Sequence, residues 1–123
     1  MKKLIFIMMV GCLFMGCSTM TIQNLSQSSK VKAGMTTDEV RDLMDEPILT
    51  ELDRNVEEWH YCRTGSRDKF LAMFFVDSRL IAKKYYLGKS EDGDCSLFVK
   101  TGDYKVPLEV QAILDKNTPT PPE

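Results

Sequence analysis

The residues that could carry chemistry in this sequence are few. The sequence contains one histidine, His60, within a run of alternating residues. A Ser-His-Asp or Cys-His catalytic arrangement would have to use this side chain. A strand histidine is more often a surface or half-buried residue. Carboxylates typical of the solvated face of a helix lie at Asp38, Asp42, Asp45 and Glu46. We therefore predict that the protein is not an enzyme, and a hydrolase using His60 is the alternative.

The sequence has no motif for a metal or a phosphate-bearing cofactor. With one histidine and no C-x-x-C pair, the residue pattern that usually holds zinc is missing. No glycine-rich phosphate loop occurs, and the segment EDGD (91–94) is too short for a calcium loop of EF-hand type. We predict no cofactor and no metal site.

The first apolar run is typical of an export signal. Lys2 and Lys3 precede a stretch without charge from Leu4 to Met15, which is the pattern of a secretory signal peptide. At about 12 residues the run is shorter than the roughly 20 that a helix needs to span a bilayer. We expect it to be removed from the mature protein.

The end of this run, FMGCS, resembles a bacterial lipobox, in which a small residue precedes a cysteine. The resemblance implies cleavage after residue 16, so that 1–16 is a lipoprotein signal peptide and Cys17 carries the acyl chains. Several acyl chains give stable membrane anchoring. Ser18 follows in place of the Asp that commonly retains lipoproteins in the inner membrane, which indicates the outer membrane. Cys12 is the rival lipidation site, and a buried or incidental Cys17 is a further alternative.

The other two cysteines, Cys62 and Cys95, are an even pair in a chain predicted to enter an oxidising compartment. A disulfide between them would close a loop of about 34 residues and contribute roughly 3 to 4 kcal/mol in the chain-entropy model. The alternative is two reduced cysteines in the core.

Length and charge limit the remaining possibilities. The chain has 123 residues and a formal net charge of −2, with 16 basic residues scattered among 18 acidic ones. Without the signal peptide, one small domain fits and two do not. A mildly acidic chain without a basic stripe does not indicate nucleic-acid binding.

Local signals define the first part of the domain. The polar residues 17–30 are predicted to be a tether, with a short helix near 22–31 as a possible addition. Thr36 and Glu39 have the spacing of a capping box before a helix over 37–45. Pro47 terminates that helix, and Gly34 frees the backbone before it.

Strands follow in the middle of the chain. Residues 57–65 alternate, and the runs KFLAMFFV and LIAKKYYL around Asp77 and Ser78 predict a hairpin. The first of these runs is apolar on both faces, so two layers must cover it. We predict that an extension from about residue 88, with a helix starting near Pro107, covers the second face. Residues 31–116 would form the domain, and 117–123 a disordered tail.

The ordered set of GMTTDEV (34–40), Leu43, Pro47 and the pair Trp59 and Tyr61 resembles the SmpA/OmlA (BamE-like) outer-membrane lipoprotein family. The resemblance covers about residues 30–86. It implies an α+β fold, with two short helices packed on a three- to four-stranded antiparallel sheet. The same fold occurs, duplicated, in β-lactamase inhibitor proteins, which act by binding. The chain departs from the family at Asp45, where the family usually has Gly, and in its cysteine pair and extension.

The resemblance implies a non-catalytic binding or scaffold accessory on the periplasmic face of the outer membrane. Its expected partners are proteins of the β-barrel assembly machinery, or other components of envelope integrity. The alternative is a periplasmic inhibitor or ligand-binding module. Residues that could contact a partner are Trp59, Tyr61, Arg63 and Arg67, although the two aromatic residues fit a core position better.

Overall fold

The computed structural model describes residues 20–89 and 93–118. In this part of the chain, two α-helices and two 3₁₀ helices accompany one four-stranded sheet. In chain order these are a 3₁₀ helix (Leu25–Lys30), α1 (Thr37–Met44), β1 (Leu49–Asp53), β2 (Val56–Arg63), β3 (Lys69–Val76), β4 (Arg79–Tyr86), a second 3₁₀ helix (Cys95–Phe98) and α2 (Leu108–Lys116). The strands are antiparallel in the order β1-β2-β3-β4. The predicted α+β fold is confirmed. The predicted signal peptide, Cys17 and residues 119–123 of the tail lie outside the described residues.

Helix α1 begins and ends close to its predicted limits. The Thr36 hydroxyl accepts a hydrogen bond from the Glu39 amide at 3.2 Å, and it also contacts the Glu39 carboxylate at 3.2 Å. The predicted cap is therefore present. The Glu39 carboxylate accepts from the Thr36 hydroxyl, whereas in the usual capping box it accepts from the backbone amide of the cap residue. Asp45 follows the helix with a φ of +63°, so it adopts the strained conformation that glycine would adopt more easily. Gly34 lies before the helix and also has a positive φ, of +92°, which glycine adopts without strain.

The turn between β3 and β4 has the backbone of a tight hairpin. Asp77 and Ser78 both have positive φ, at 51° and 61°, which is the backbone of a type I′ turn. This confirms the predicted hairpin between β3 and β4. The edge strand β1 was not singled out from the sequence. Its residues 50–53 are exposed, so it lacks the apolar alternation by which a strand is recognised.

Two apolar clusters lie on opposite sides of the sheet. On the helix face, α1 and the first 3₁₀ helix pack on the odd-numbered residues of β3, represented by Leu71, Met73 and Phe75. On the extension face, residues after β4 pack on Phe70, Ala72 and Phe74. The extension therefore covers the second face, as predicted. Its α2 helix buries Val110 and Leu114, whereas Leu108 is 87% exposed.

Residues 20–30, assigned to the tether from their composition, pack against the sheet. The Thr64 amide donates to the Thr21 carbonyl at 2.9 Å, and the Gln23 amide donates to the Cys62 carbonyl at 3.3 Å. The Gln23 side chain accepts in turn from the Cys62 amide at 2.8 Å. The short helix predicted near 22–31 is present as the 3₁₀ helix Leu25–Lys30. Polar composition did not reveal that the segment packs on the domain, through hydrogen bonds to the backbone at the end of β2 and through Leu25 on the helix face.

Candidate functional site

The predicted disulfide is present between Cys62 at the end of β2 and Cys95 in the second 3₁₀ helix, with Cα atoms 6.1 Å apart. Both cysteines are fully buried. Because the bond fixes the start of the extension to the sheet, the segments on either side of it are held in a defined position. The alternative of two reduced core cysteines is wrong for this structure.

A single carboxylate, Asp94, joins three segments beside the disulfide. It accepts hydrogen bonds from the backbone amide and hydroxyl of Thr21 and from the hydroxyl of Thr64. It also caps the second 3₁₀ helix through Ser96. The hydrogen bond from Ser96, followed by those from Thr21, lowers the pKa of Asp94 well below its usual range. We call this arrangement the Asp94 clamp.

A polar network on the extension face combines three buried residues, His60, Glu58 and Tyr86, with the exposed Lys100 of the extension. His60 is fully buried and places Nδ1 3.0 Å from the Tyr86 hydroxyl and Nε2 3.5 Å from Glu58 Oε1. The Tyr86 hydroxyl accepts from the backbone amide of Lys100 at 3.1 Å, so we assign its own proton to His60 Nδ1. With that tautomer, Nε2 carries the hydrogen that faces Glu58. Lys100 Nζ closes the network at 3.4 Å from Glu58 Oε2.

The charges of this network compensate one another. Burial by itself would raise the pKa of Glu58, but the neighbouring His60 side chain and the charge of Lys100 hold that pKa below its ordinary value. Burial would likewise lower the pKa of Lys100, and its 2.6 Å contact with Glu51 outweighs that effect and raises it. Burial raises the pKa of Tyr86 to about 12. Glu58 is therefore an ionised carboxylate with only 9% of its surface exposed.

A cavity of about 130 Å³ lies beside this network, between the extension face of the sheet and α2. It is lined by Glu51, Asp53, Val56, Glu58, Phe74, Lys100, Tyr104, Val106, Val110 and Leu114. The buried Tyr104 hydroxyl and Glu58 Oε1 have no hydrogen-bond partner within the described residues. Both oxygens are sealed from solvent, so the accessible wall of the cavity is mainly apolar, from Val56, Phe74, Val110 and Leu114.

The predicted aromatic contact residues do not reach the surface. Trp59 and Tyr61 are both fully buried on the helix face. The Trp59 indole donates to Glu57 at 2.7 Å and the Tyr61 hydroxyl donates to the Asp45 carbonyl at 2.9 Å. Their assignment as partner contacts is wrong, because both the rings and the polar tips are used inside the domain.

The basic residues Arg63 and Arg67 are exposed, as expected for partner contacts. Arg63 lies opposite Ile22 in a short antiparallel bridge. Exposed apolar side chains lie on segments that meet at this end of the sheet, with Met20 53%, Ile22 59% and Leu97 74% exposed. This end of the molecule, which we call the amino-terminal end, is held together by the Asp94 clamp.

His60 was expected at the surface or half-buried, and the structure corrects this to full burial. His60 and Cys62 are two residues apart in β2, so their side chains lie on the same face of the sheet. A cysteine expected to form a disulfide indicates that this face points into the domain. Glu58 lies on the same face of β2, and its burial was not predicted from the sequence. Lys100, Tyr104 and Asp94 carried no recognisable pattern, because their roles depend on contacts across the fold.

Among residues 20–89 and 93–118, no group of three or more His, Cys, Asp or Glu side chains is arranged to hold a metal ion. Within those same ranges, no helix is long and apolar enough to cross a bilayer. Glu58 contacts His60 through one carboxylate oxygen and Lys100 through the other, next to the apolar wall of the cavity. No protein-family model matches this chain, and no curated protein does either.

Proposed function

We propose that this protein is an outer-membrane lipoprotein that acts on the periplasmic face as a non-catalytic binding scaffold, in the manner of the SmpA/OmlA (BamE-like) family that its sequence resembles. The observation that carries the proposal is the attachment of Thr21 to the domain through the Asp94 clamp. Cys17 lies four residues before Thr21. Four extended residues reach at most about 14 Å, so an anchor at Cys17 would hold the amino-terminal end against the membrane.

The chemistry of the amino-terminal end supports this orientation. Met20, Ile22 and Leu97 expose apolar surface, and Arg63 and Arg67 add positive charge. Apolar side chains favour the acyl boundary of a bilayer, and basic side chains favour its phosphates. The disulfide between Cys62 and Cys95 supports an oxidising compartment. The opposite end, with the Asp77 turn, would then face protein partners of the β-barrel assembly machinery.

Lipidation and partner binding are tested together in cells that produce the protein. Tagged full-length chain is solubilised in mild detergent, and co-purifying proteins are identified by mass spectrometry. Cys17→Ala is the test variant and Cys12→Ala is its matched control. We expect barrel-assembly proteins with the parent and with Cys12→Ala, and their loss together with the acyl mass in Cys17→Ala.

Two outcomes would contradict the proposal. If Cys17→Ala keeps its membrane location and Cys12→Ala loses it, the anchor is misassigned. If the parent is acylated but recovers a soluble periplasmic enzyme in place of assembly proteins, the protein is an inhibitor. The double variant Arg63→Glu, Arg67→Glu should weaken retention on membranes without changing the circular dichroism spectrum.

A further inference from the structure

We propose that the outer edge of β4 binds an extended, acidic segment of a partner protein as an added β-strand. Strand β4 runs along the side of the domain, from the Asp77 turn to the amino-terminal end. The inference goes beyond the proposed function, because it assigns the way in which a protein partner binds. It does not require the lipid anchor, so the two proposals are tested separately.

The outer edge of β4 is occupied by this chain only near its two ends, as far as the described residues extend. At the start, the Leu80 amide donates to the Met35 carbonyl at 2.8 Å, and the Gly34 amide donates to the Leu80 carbonyl at 2.7 Å. At the far end, the Leu87 amide donates to the Asp103 carboxylate at 2.7 Å, and the Leu87 carbonyl accepts from the Asp103 amide at 3.1 Å. Leu80 and Leu87 are seven residues apart, which is about 23 Å in an extended strand. A partner segment of about five residues therefore fits between the occupied ends.

The backbone groups of the open stretch point away from the sheet. Leu87 directs both its N–H and its C=O away from β3, toward Asp103. Because alternate residues of a strand direct these groups to the same side, those of Lys83 and Tyr85 point outward as well. Lys83, Lys84 and Tyr85 are all exposed. An extended peptide can therefore reach this edge and form the hydrogen bonds of a sheet with it.

The surface around this stretch is basic, which favours an acidic partner. Arg63 and Lys69 are direct cross-strand neighbours in β2 and β3, and like charges in that position repel each other. Lys84 adds a third exposed charge on β4 itself. In the described part of the chain, none of these three side chains forms an ion pair. The carboxylates of a bound segment would supply the counter-charges.

Two cavities beside Tyr85 provide room for side chains of the bound segment. The first, of about 310 Å³, is lined by Arg63 and Lys69 and, among the described residues, by no carboxylate. The second, of about 290 Å³, has an apolar wall that includes Phe70 and Leu87. Lys69 and Tyr85 line both cavities. A carboxylate side chain therefore fits the first cavity, and an apolar side chain fits the second.

An acidic peptide matches this edge better than a lipid headgroup or a second copy of the chain. A phosphate group accepts hydrogen bonds but has no donor for the outward carbonyls of Lys83 and Tyr85. A second copy that paired through its own β4 would bring Lys84 next to a strand with the same basic side chains, and these charges would repel. A peptide backbone supplies both donors and acceptors, and glutamate or aspartate side chains supply the charge.

The test uses the ¹⁵N-labelled full chain in detergent and a blocked heptapeptide in which glutamate alternates with valine. One control peptide replaces every glutamate with lysine, and another replaces the central valine with proline, which removes a backbone donor. We expect saturable shifts of the β4 amide signals with the glutamate peptide, and at least tenfold weaker binding of both controls. Hydrogen exchange of the Tyr85 amide should slow at least tenfold in the saturated complex, because that N–H then donates to the peptide.

Variants separate the backbone contribution from the charge. Tyr85→Pro removes the outward N–H and should abolish peptide binding, and proline is tolerated where a strand N–H faces solvent. Tyr85→Ala is the matched comparison, since it loses the same ring but keeps the amide, and it should bind at least fivefold more tightly than Tyr85→Pro. Lys69→Glu should weaken binding at least tenfold and provides a second variant if Tyr85→Pro does not fold. Lys116→Glu, at an exposed position of α2, is the control for a change in net charge.

Equal affinity for the glutamate and lysine peptides, or rapid exchange of the Tyr85 amide in the saturated complex, would overturn the proposal. Binding of anionic phospholipid bicelles without binding of the peptide would assign the basic surface to lipid instead. Protection of the Tyr85 amide that rises with protein concentration in the absence of peptide would assign the edge to a second copy. Each of these results leaves the lipid anchor at Cys17 untouched, so it would not count against the proposed function.

Discussion

The two faces of the sheet are covered by different means. The helix face is closed by residues from before β1, and its core is apolar except for the tips of Trp59 and Tyr61 and the buried Ser28. The extension face is closed by residues after β4 and combines an apolar cluster with a disulfide, a partly buried ion pair and a cavity. Apolar packing stabilises both faces, and the apolar cluster on the extension face includes at least as many buried side chains as the cluster on the helix face. The disulfide and the ionic contacts of the extension face add to this packing.

This difference has a functional meaning. A buried polar network is costly to leave half-satisfied, and it is often retained for recognition or specificity. Both faces therefore contribute apolar packing to the stability of the fold, and the extension face adds a disulfide, a polar network and a cavity. The predictions that follow compare the two faces, beginning with the largest effect.

Phe74 and Phe75 allow the most direct comparison, because they are neighbours in β3, are each 1% exposed and face opposite sides. We expect Phe75→Ala to reduce the free energy of unfolding by about 4 to 5 kcal/mol, since it leaves a closed void beside Trp59. Phe74→Ala should cost about 3 kcal/mol, because Phe74 borders a cavity that water can enter and hydrate at Glu58. Urea unfolding measures the loss of unfolding free energy in each variant. A larger loss in Phe74→Ala than in Phe75→Ala would contradict this prediction.

The disulfide is the next largest contribution, and it is specific to the extension face. The double variant Cys62→Ala, Cys95→Ala should lose about 3 to 4 kcal/mol of unfolding free energy. Amide hydrogen exchange should accelerate in α2 (Leu108–Lys116) and remain slow in α1 (Thr37–Met44). Dithiothreitol should reproduce the loss in the parent and have no further effect on the double variant. Equal acceleration in both helices would mean that the two faces unfold as one unit.

Features that depend on local spacing could be predicted from the sequence, and features that depend on contacts across the fold could not. The cap at Thr36, the hairpin turn at Asp77 and the two apolar faces of β3 follow from local spacing, so the sequence alone predicts each of them. The cysteine pair was predicted from their number and compartment, without any knowledge of the fold. The network around Glu58 and Lys100 joins residues of β1, β2, β4 and the extension, so no local pattern contains it. The edge strand β1 and the clamp at Thr21 escaped detection because their contacts are mostly polar.

A glycine provides a smaller perturbation of the extension alone. Gly102 has a φ of +66°, and a Cβ there would lie 2.1 Å from the Leu87 carbonyl oxygen. The next residue, Asp103, holds the extension to the end of β4 through its amide and its carboxylate, both bonded to Leu87. Gly102→Ala should therefore cost about 2 to 3 kcal/mol. Gly65→Ala is the control, because its nearest contact would be an ordinary 3.7 Å. A loss below 0.5 kcal/mol in Gly102→Ala, roughly the size of a neutral surface change, would show that this junction is not rigid.

Acid sensitivity is the smallest expected effect, and it is also confined to the extension side. The pKa values of Asp94 and Glu58 are both lowered in the folded protein, Asp94 by its hydrogen bonds from Ser96 and Thr21, and Glu58 by His60 and Lys100 against the opposing effect of burial. A carboxyl group whose pKa is lower in the folded state stabilises the fold above its unfolded pKa. That contribution is lost progressively as the pH falls through the folded value. We therefore expect the unfolding free energy to be constant from pH 7 to about 5 and to decrease below it.

Two variants show how much of the acid dependence comes from the Asp94 clamp and how much comes from the network around Glu58. Asp94→Asn should remove more of the acid dependence than Glu58→Gln, because three segments donate to Asp94. Asp38→Asn is a control in the first turn of α1, where the carboxylate is mostly exposed. Urea unfolding at pH 7, 5, 4 and 3 provides the measurement for each variant. If Asp94→Asn leaves the pH dependence of the parent unchanged, Asp94 does not hold Thr21 to the domain in solution. The short connection between Cys17 and the fold would then be lost, and with it the reason for placing the amino-terminal end at the membrane.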